Sequence, residues 1–539
     1  MTDKRNSLRL MLVAMLAILL AFLTGGRTHP RTLYHTTAQG STNIHFSHDS
    51  GFYEKPFYLE IHVPSGELYY TLDGSDPDRN ATRYTGPIYI GDASRQENVL
   101  SARADISNRE VVVPTEPVDK CTVLRVRYYD RLGRSETCTE SYFVGFSQKQ
   151  GYEGYHVLSL IMDPKALTDE ETGIYIQGDT YSGNSWSGNY NQRGRDWERA
   201  AYFQYFSPEG ELQTDASCGV RIKGNWSRRL PQKSLNLFAR KEYNGQTEFK
   251  YDFWGSGYFP DVMTLHAGGN DTSGKMKNRL AAELCREEPF STHRYVLCQV
   301  FLNGEYWGLY DLTEGYTAHY VSYTYGVPEQ AVVSMKSTLL EEGDDEALVE
   351  EINGFVNSTD FSVPENYEAC GKMLDMDSLI RYYAVMLYCA RNTDWPVDNT
   401  QLWRTITSTT GFGDGKWRYM LYDMDSPGME EEYITHDTIA SAMEGSAFFR
   451  SLMGNKTFRQ QLGAAMLDLS ETDFAPEHVG AVLEAMRAEQ ASAMTAHYRR
   501  WYSTTPEAFY DETEEYLAFF ENRPQVIWRL LREYDMLPG

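Results

Sequence analysis

A chain of 539 residues carrying 76 Asp and Glu against 50 Lys and Arg has a net charge of −26 and lacks the cationic excess that a nucleic-acid partner demands. Its length exceeds what one hydrophobic core organises, so two or three domains are expected. Aromatic residues make up 14% of it, a content that excludes a disordered chain and suits aromatic-rich sheets.

Lys4 and Arg5 precede an apolar run from Leu8 to Leu23 broken by Arg9. A cationic start followed by such a run reads as a signal peptide or an N-terminal membrane anchor over residues 1–26, its length lying between the two. The chain is therefore expected to be exported, extracellular or at the cell surface, with residues 27–42 as a polar linker. Seven cysteines are scattered without a CxxC pair, which fits neither a disulfide framework nor a zinc site. Cys121 and Cys138 read as strand partners across a turn; the other five read as buried thiols.

From residue 43 to 148 short alternating runs, Phe57–Val63 and Leu124–Tyr128 among them, are broken by Gly, Asp and Pro clusters at the intervals of a β-sandwich. A second domain is expected over residues 155–539. It opens with the buried-strand run His156–Ile161, a Gly/Ser/Asn-rich loop to Gly194, and strand candidates at Ala200–Phe206, Cys218–Lys223 and Lys233–Ala239. Between the last two lies GNWSRRLPQ, with Arg221, Lys223, Arg228, Arg229 and Lys233 gathered in one stretch of an acidic chain; loops of this kind cover phosphates. Lys233, at the start of a strand, is placed to point inward from a rigid element toward a phosphate, and Arg221 and Arg228 to assist it.

Asn270–Ser273 reads as a helix start, and Glu283 on the following helix either pairs with Lys233 or is an ordinary surface residue. Asn303-Gly304 marks a hairpin turn whose return strand ends at Glu314, where a nucleotide base could lie against sheet and backbone. Leu339–Glu368 reads as a solvated acidic linker in preference to a helical insertion. Asp377–Ala390 is an amphipathic helix leading into NTDWPVDN, then LWR, then KWRYMLYDMD.

There two acidic clusters bracket one strand, Asp394 with Asp398 and Asn399 on the near side and Asp423 with Asp425 on the far side. Carboxylates so close to apolar runs call for a cation between them, and a divalent metal carrying a phosphate fits. Phosphoryl transfer needs an acceptor for the attacking hydroxyl's proton, an amide oxygen and a carboxylate for metal; Asp394, Asn399 and Asp423 fill those roles in that order. The same Asp423-Met424-Asp425 also reads as the DxD of a metal-dependent glycosyltransferase, and a non-catalytic surface adhesin is a third reading. After Asp425 the pattern is helical to the end.

Two resemblances sharpen this. The run Tyr69–Pro77 with Tyr84–Ile88 resembles the chitobiase/β-hexosaminidase C-terminal-type module, a fibronectin-III-like sandwich, which implies structural spacing or substrate presentation in preference to contact with cell wall or glycan. The ordered set GVRIKGNWSRRLPQKSLNL, LHAGGNDTS, VFLNGEYWGLYDLTE, NTDWPVDN and KWRYMLYDMD resembles the spore-coat-protein-H (CotH) kinase family. That resemblance implies a multidomain α+β chain with a diverged protein-kinase-like domain and a helical C-terminal lobe. It implies ATP as phosphate donor, Mg2+ or Mn2+ as metal, and Ser or Thr of an exported protein as acceptor. Asp394 would be the catalytic aspartate, Lys233 would contact nucleotide phosphates, Asn399 and Asp423 would hold metal, and Asp425 would lie near it.

Overall fold

The computed structural model describes residues 43–391, 394–407, 409–501 and 507–537. The apolar run Leu8–Leu23 and the linker at 27–42 lie outside the described residues. Among the described residues no helix is long and apolar enough to cross a membrane.

The strand-rich N-terminal part is built from β1 (His45–Phe46), β2 (Gly51–Tyr53), β3 (Phe57–Leu59), β4 (Ile61–His62), β5 (Glu67–Thr71), β6 (Thr82–Arg83), β7 (Ile88–Ile90), β8 (Thr122–Tyr129) and β9 (Ser135–Val144). A sheet of order β2-β9-β8-β5-β6 faces the pairs β1-β4 and β3-β7. Period-2 alternation explains the packing: Leu124, Val126 and Tyr128 of β8 meet Leu59, Ile61 and Ile90 in the sandwich core. The opposite face of the same sheet is apolar too, because Val123 and Phe143 join Phe206, Phe301 and Tyr306 from the strands that follow in a second cluster. Cys121 belongs to this second cluster and Cys138 to the sandwich core, so a sheet separates the two thiols; all seven cysteines are buried and none is in a disulfide. The pairing of Cys121 with Cys138 expected from their spacing is thus corrected.

Next comes a closed barrel of β10 (His156–Met162), β11 (Arg199–Phe206), β12 (Leu212–Ile222), β13 (Leu235–Phe238), β14 (Val262–His266), β15 (Tyr295–Leu302) and β16 (Glu305–Glu314), in the order β10-β11-β12-β13-β14-β16-β15. Only the closing pair β10–β15 is parallel. That pattern departs from the alternating parallel strands and helices a nucleotide-sugar glycosyltransferase fold would need. The interior is filled by residues such as Leu160, Val220, Leu237, Leu265 and Leu312. Asn303 and Gly304 take left-handed φ angles of 48° and 84°, the two-residue turn their sequence signals.

A four-stranded sheet follows, β17 (Val332–Lys336), β18 (Leu339–Glu342), β19 (Gln401–Thr405) and β20 (Arg418–Met420), in the order β18-β17-β19-β20. Between its strands, α2 (Glu346–Ser358) and α3 (Pro364–Met373) form where a solvated linker was expected. Val349 and Ile352, one helical turn apart, are buried in the large helical core, and that apolar pair outweighs the acidic composition. The core also takes α1 (Lys277–Leu284), α4 (Met376–Tyr388), α5 (Thr438–Gly445), α6 (Ala447–Met453), α7 (Lys456–Glu471), α8 (Pro476–Trp501) and α9 (Glu507–Glu533). The molecule is thus mixed α/β, strand-rich at the N-terminal end and helical at the C-terminal end.

Candidate functional site

The outer wall of the barrel along β12–β14 faces β17 and the segment after β20 across a cleft. It has two chambers of about 410 and 450 Å³, which share Lys223, His293, Lys336 and Tyr422. The first chamber contains Asp394, Asn399, Asp423 and Asp425; the second is walled by Phe238, Val262 and the backbone run Gly315–Thr317.

Lys223 continues β12. Alternation sends Val220 and Ile222 into the barrel and turns Arg221 and Lys223 outward to the cleft. Its ammonium donates to Thr264 Oγ1 of β14 at 3.1 Å. Burial, then the neighbouring Lys336, pushes Lys223 down to about 8 against the pull of Asp423, Glu341 and Asp425. Lys336 ends β17; its Nζ donates to Tyr422 Oη at 2.8 Å and stands 4.3 Å over that ring. Burial lowers Lys336, but Tyr422, Glu341 and Asp423 together more than offset it and the net direction is upward.

Opposite these lysines, Asn399 Nδ2 donates to Asp394 Oδ2 at 3.1 Å and to Asp423 Oδ2 at 2.7 Å. Asn399 and Asp423 both sit at left-handed φ, 53° and 60°, sparsely populated for residues with a Cβ and tolerated best by Asn and Asp. The turn is held by helix α1, where Asn278 Oδ1 accepts from Met424 N at 2.7 Å. Asp394 is exposed at the rim, whereas Asp425 is 3% exposed. Asp425 Oδ2 accepts from Asn270 N at 3.4 Å, and its buried Oδ1 has no hydrogen-bond partner among the described residues.

Burial raises both inner carboxyls, with the charge of Asp425 adding at Asp423 and that of Asp271 adding at Asp425. His266 Nε2 lies 3.9 Å from Asp425 Oδ2, but burial and Lys223 push this imidazole down to about 4, so it is neutral near pH 7 and cannot compensate. An orphaned carboxylate oxygen beside a second raised carboxyl is a donor set that suits a hard cation. Among the described residues no three His, Cys, Asp or Glu side chains gather to hold a metal by themselves. The third donor at hand is the amide of Asn399.

Four sequence assignments meet a different geometry. Lys233 does not reach the cleft: it is 0% exposed, and its ammonium donates to the carbonyls of Ile106, Arg228 and Leu230 at 2.7, 2.7 and 2.6 Å. It shares strand parity with Leu235 and Leu237, which face the barrel interior, while Ser234 and Asn236 face the cleft. Arg228 borders the second chamber, but its guanidinium is spent on the carbonyls of Gly224, Tyr190 and Gln192. Glu283 pairs with Arg286, just past the end of its own helix, and does not line the cleft. Glu314 is 0% exposed and accepts from Arg294 Nε at 3.0 Å, next to the second chamber and outside it. Arg221 does line that chamber, 4.3 Å over the Phe238 ring and 3.6 Å from Glu198.

The sequence singled out neither Lys336, His266, His293 nor Asn278 as part of a site. Lys223 was within reach of strand parity with Arg221; the others arrive from distant segments with no local signal.

Among known families, the model described as "CotH kinase protein" matches residues 220–527, and that described as "Fn3 associated" matches residues 57–142. No curated protein matches the chain.

Proposed function

Because the chain belongs to the CotH kinase family, whose match covers residues 220–527, we propose that its cleft transfers the γ-phosphate of ATP to a Ser or Thr hydroxyl of an exported protein. The observation that carries this reading is the bridge of Asn399 between Asp394 and Asp423, facing Lys223 and Lys336 across one cleft. Five side chains from four distant segments converge there in the charge pattern that phosphoryl transfer uses, in a diverged kinase-like arrangement.

The adenine ring would lie in the second chamber against Phe238, Val262 and the Gly315–Thr317 backbone. The phosphates would extend into the first, where Lys223 and Lys336 supply positive charge and Gly224, Asn225 and Ser227 form the roof. Gly224, at φ 104°, lets the backbone turn where a Cβ would strike Ser227 Oγ. Asp394, exposed at the rim, accepts the proton of the attacking hydroxyl as its oxygen bonds the γ-phosphorus and the bridging oxygen departs with ADP. Asp423, Asp425 and Asn399 would hold Mg2+ or Mn2+, which when bound offsets charge on the phosphate oxygens. The N-terminal apolar run supports an exported setting for the acceptor.

The test is transfer from labelled ATP to a Ser-rich acceptor with magnesium or manganese. Asp394→Asn should lower turnover by roughly 10²–10⁴-fold with an unchanged melting curve. Undiminished transfer in this variant would refute the role of Asp394, and no transfer by the wild-type chain under any metal would refute the reading.

A further inference from the structure

The loop Gly224–Leu230 that roofs the first chamber is gripped from behind by a segment of the sandwich. Between β7 and β8 the chain leaves the sandwich as a strap, residues 91–121, and crosses the barrel. Its feet stand on the β15–β16 hairpin. Glu305 accepts from the backbone N–H groups of Val99 and Ser101 at 2.5 and 2.7 Å and from Ser101 Oγ at 2.6 Å. At the other foot Cys121 N donates to Gly304 O at 2.9 Å. Lys120 closes the strap on itself, its ammonium donating to Gln96 O, Asn98 Oδ1 and Val118 O at 3.0, 2.9 and 3.0 Å.

The crest of the strap reaches the loop. Ser107 Oγ donates to Arg229 O at 2.6 Å, and Arg109 lies 5.6 Å over the Trp226 ring. Between crest and loop sits Lys233, taking one carbonyl from the strap, Ile106, and two from the loop, Arg228 and Leu230. No carboxylate partners it; its three donors are matched by three backbone oxygens. A fully buried amino group cannot lose an acceptor without stranding a donor, so separating loop from strap is costly while it stays in place.

We infer that Lys233 is a positioning residue: it ties the sandwich strap to the phosphate-facing loop, so that the N-terminal module sets the loop geometry on which nucleotide affinity depends. The tie itself is a property of the ligand-free chain, and its effect on affinity rests on the function proposed above. Loss of the tie frees Gly224, Asn225 and Ser227 at the roof while leaving Asp394, Asn399 and Asp423 on their own anchors. It should therefore move KM for ATP and spare kcat.

Hydrogen exchange on the full, nucleotide-free chain tests the tie without any assumption about activity. In Lys233→Met and in Glu305→Ala, which releases a strap foot remote from the cleft, amides 224–230 should exchange about tenfold faster while β13 and β14 keep their protection. In Glu305→Ala, KM for ATP should rise about fivefold with kcat within about twofold. Unchanged exchange at 224–230 in Glu305→Ala, whether or not Lys233→Met folds, overturns the inference. Altered exchange in a chain that never turns over ATP keeps the tie and removes the kinase reading instead.

Discussion

Lys223 and Lys233 flank one loop yet face opposite sides of the barrel wall, and their substitutions should separate cleanly. Lys223→Met removes an ammonium from the cleft and should raise KM for ATP about tenfold or more, with little change in melting temperature. Removing a buried charge at Asp425 should do the reverse to stability. Both inner carboxyls are raised by burial, so Asp425→Asn should raise the melting temperature of the nucleotide-free protein near pH 8 while abolishing metal-dependent transfer; a lower melting temperature would contradict it. The meeting of Asp394, Asn399, Asp423 and Asp425 was legible in the sequence because carboxylates bracketing an aromatic strand have few ways to be accommodated. The lysine was harder. A lysine that begins a strand beside a basic loop is expected to point at phosphate, but parity with Leu235 and Leu237 turns Lys233 into the barrel wall, and parity with Arg221 turns Lys223 out. Glu283 as a partner for Lys233 and Glu314 as the floor for a base are both set aside by ion pairs, with Arg286 and with Arg294.

At the scale of elements, alternation and turn chemistry located the sandwich strands and the Asn303-Gly304 hairpin, because each of those signals is complete within a few residues. Barrel closure was not legible: β10 meets β15 across more than half the barrel's sequence, a pairing that no local pattern encodes. The acidic stretch after β18 misled because charge counts ignored the buried turn at Val349 and Ile352. Helix packing yields its own prediction. A Cβ at Gly463 of α7 would collide with the backbone carbonyl of Met536, which follows α9 and cannot rotate aside. Gly463→Ala should therefore destabilise by about 1–3 kcal/mol despite the better helix propensity of alanine, as read by chemical denaturation.

Over the whole molecule, two apolar faces on one sheet make the sandwich a structural partner of the barrel. Glu140 sits at this junction, accepting from Ser50 N at 3.0 Å, while Ser50 Oγ accepts from Gln204 Nε2 of β11 at 2.8 Å. Burial, reinforced by Asp215 and opposed by Ser50, lifts Glu140 from 4.5 to about 7. The folded state therefore binds more protons than the unfolded chain between those values. Stability from this group is full below about pH 4.5, falls as pH rises through 7, and is flat above. Glu140→Gln should remove that slope and raise stability at pH 8 by about 1–3 kcal/mol, measured by melting across pH; an unchanged slope would exclude the assignment.

All seven thiols are enclosed, and burial pushes those of Cys121 and Cys389 up to about 12. None is a nucleophile at neutral pH, and none is cross-linked. Dithiothreitol should leave the melting temperature untouched. Maturation of this chain thus waits on no oxidant and no disulfide isomerase, and the same native state is reachable in a reducing or an oxidising milieu.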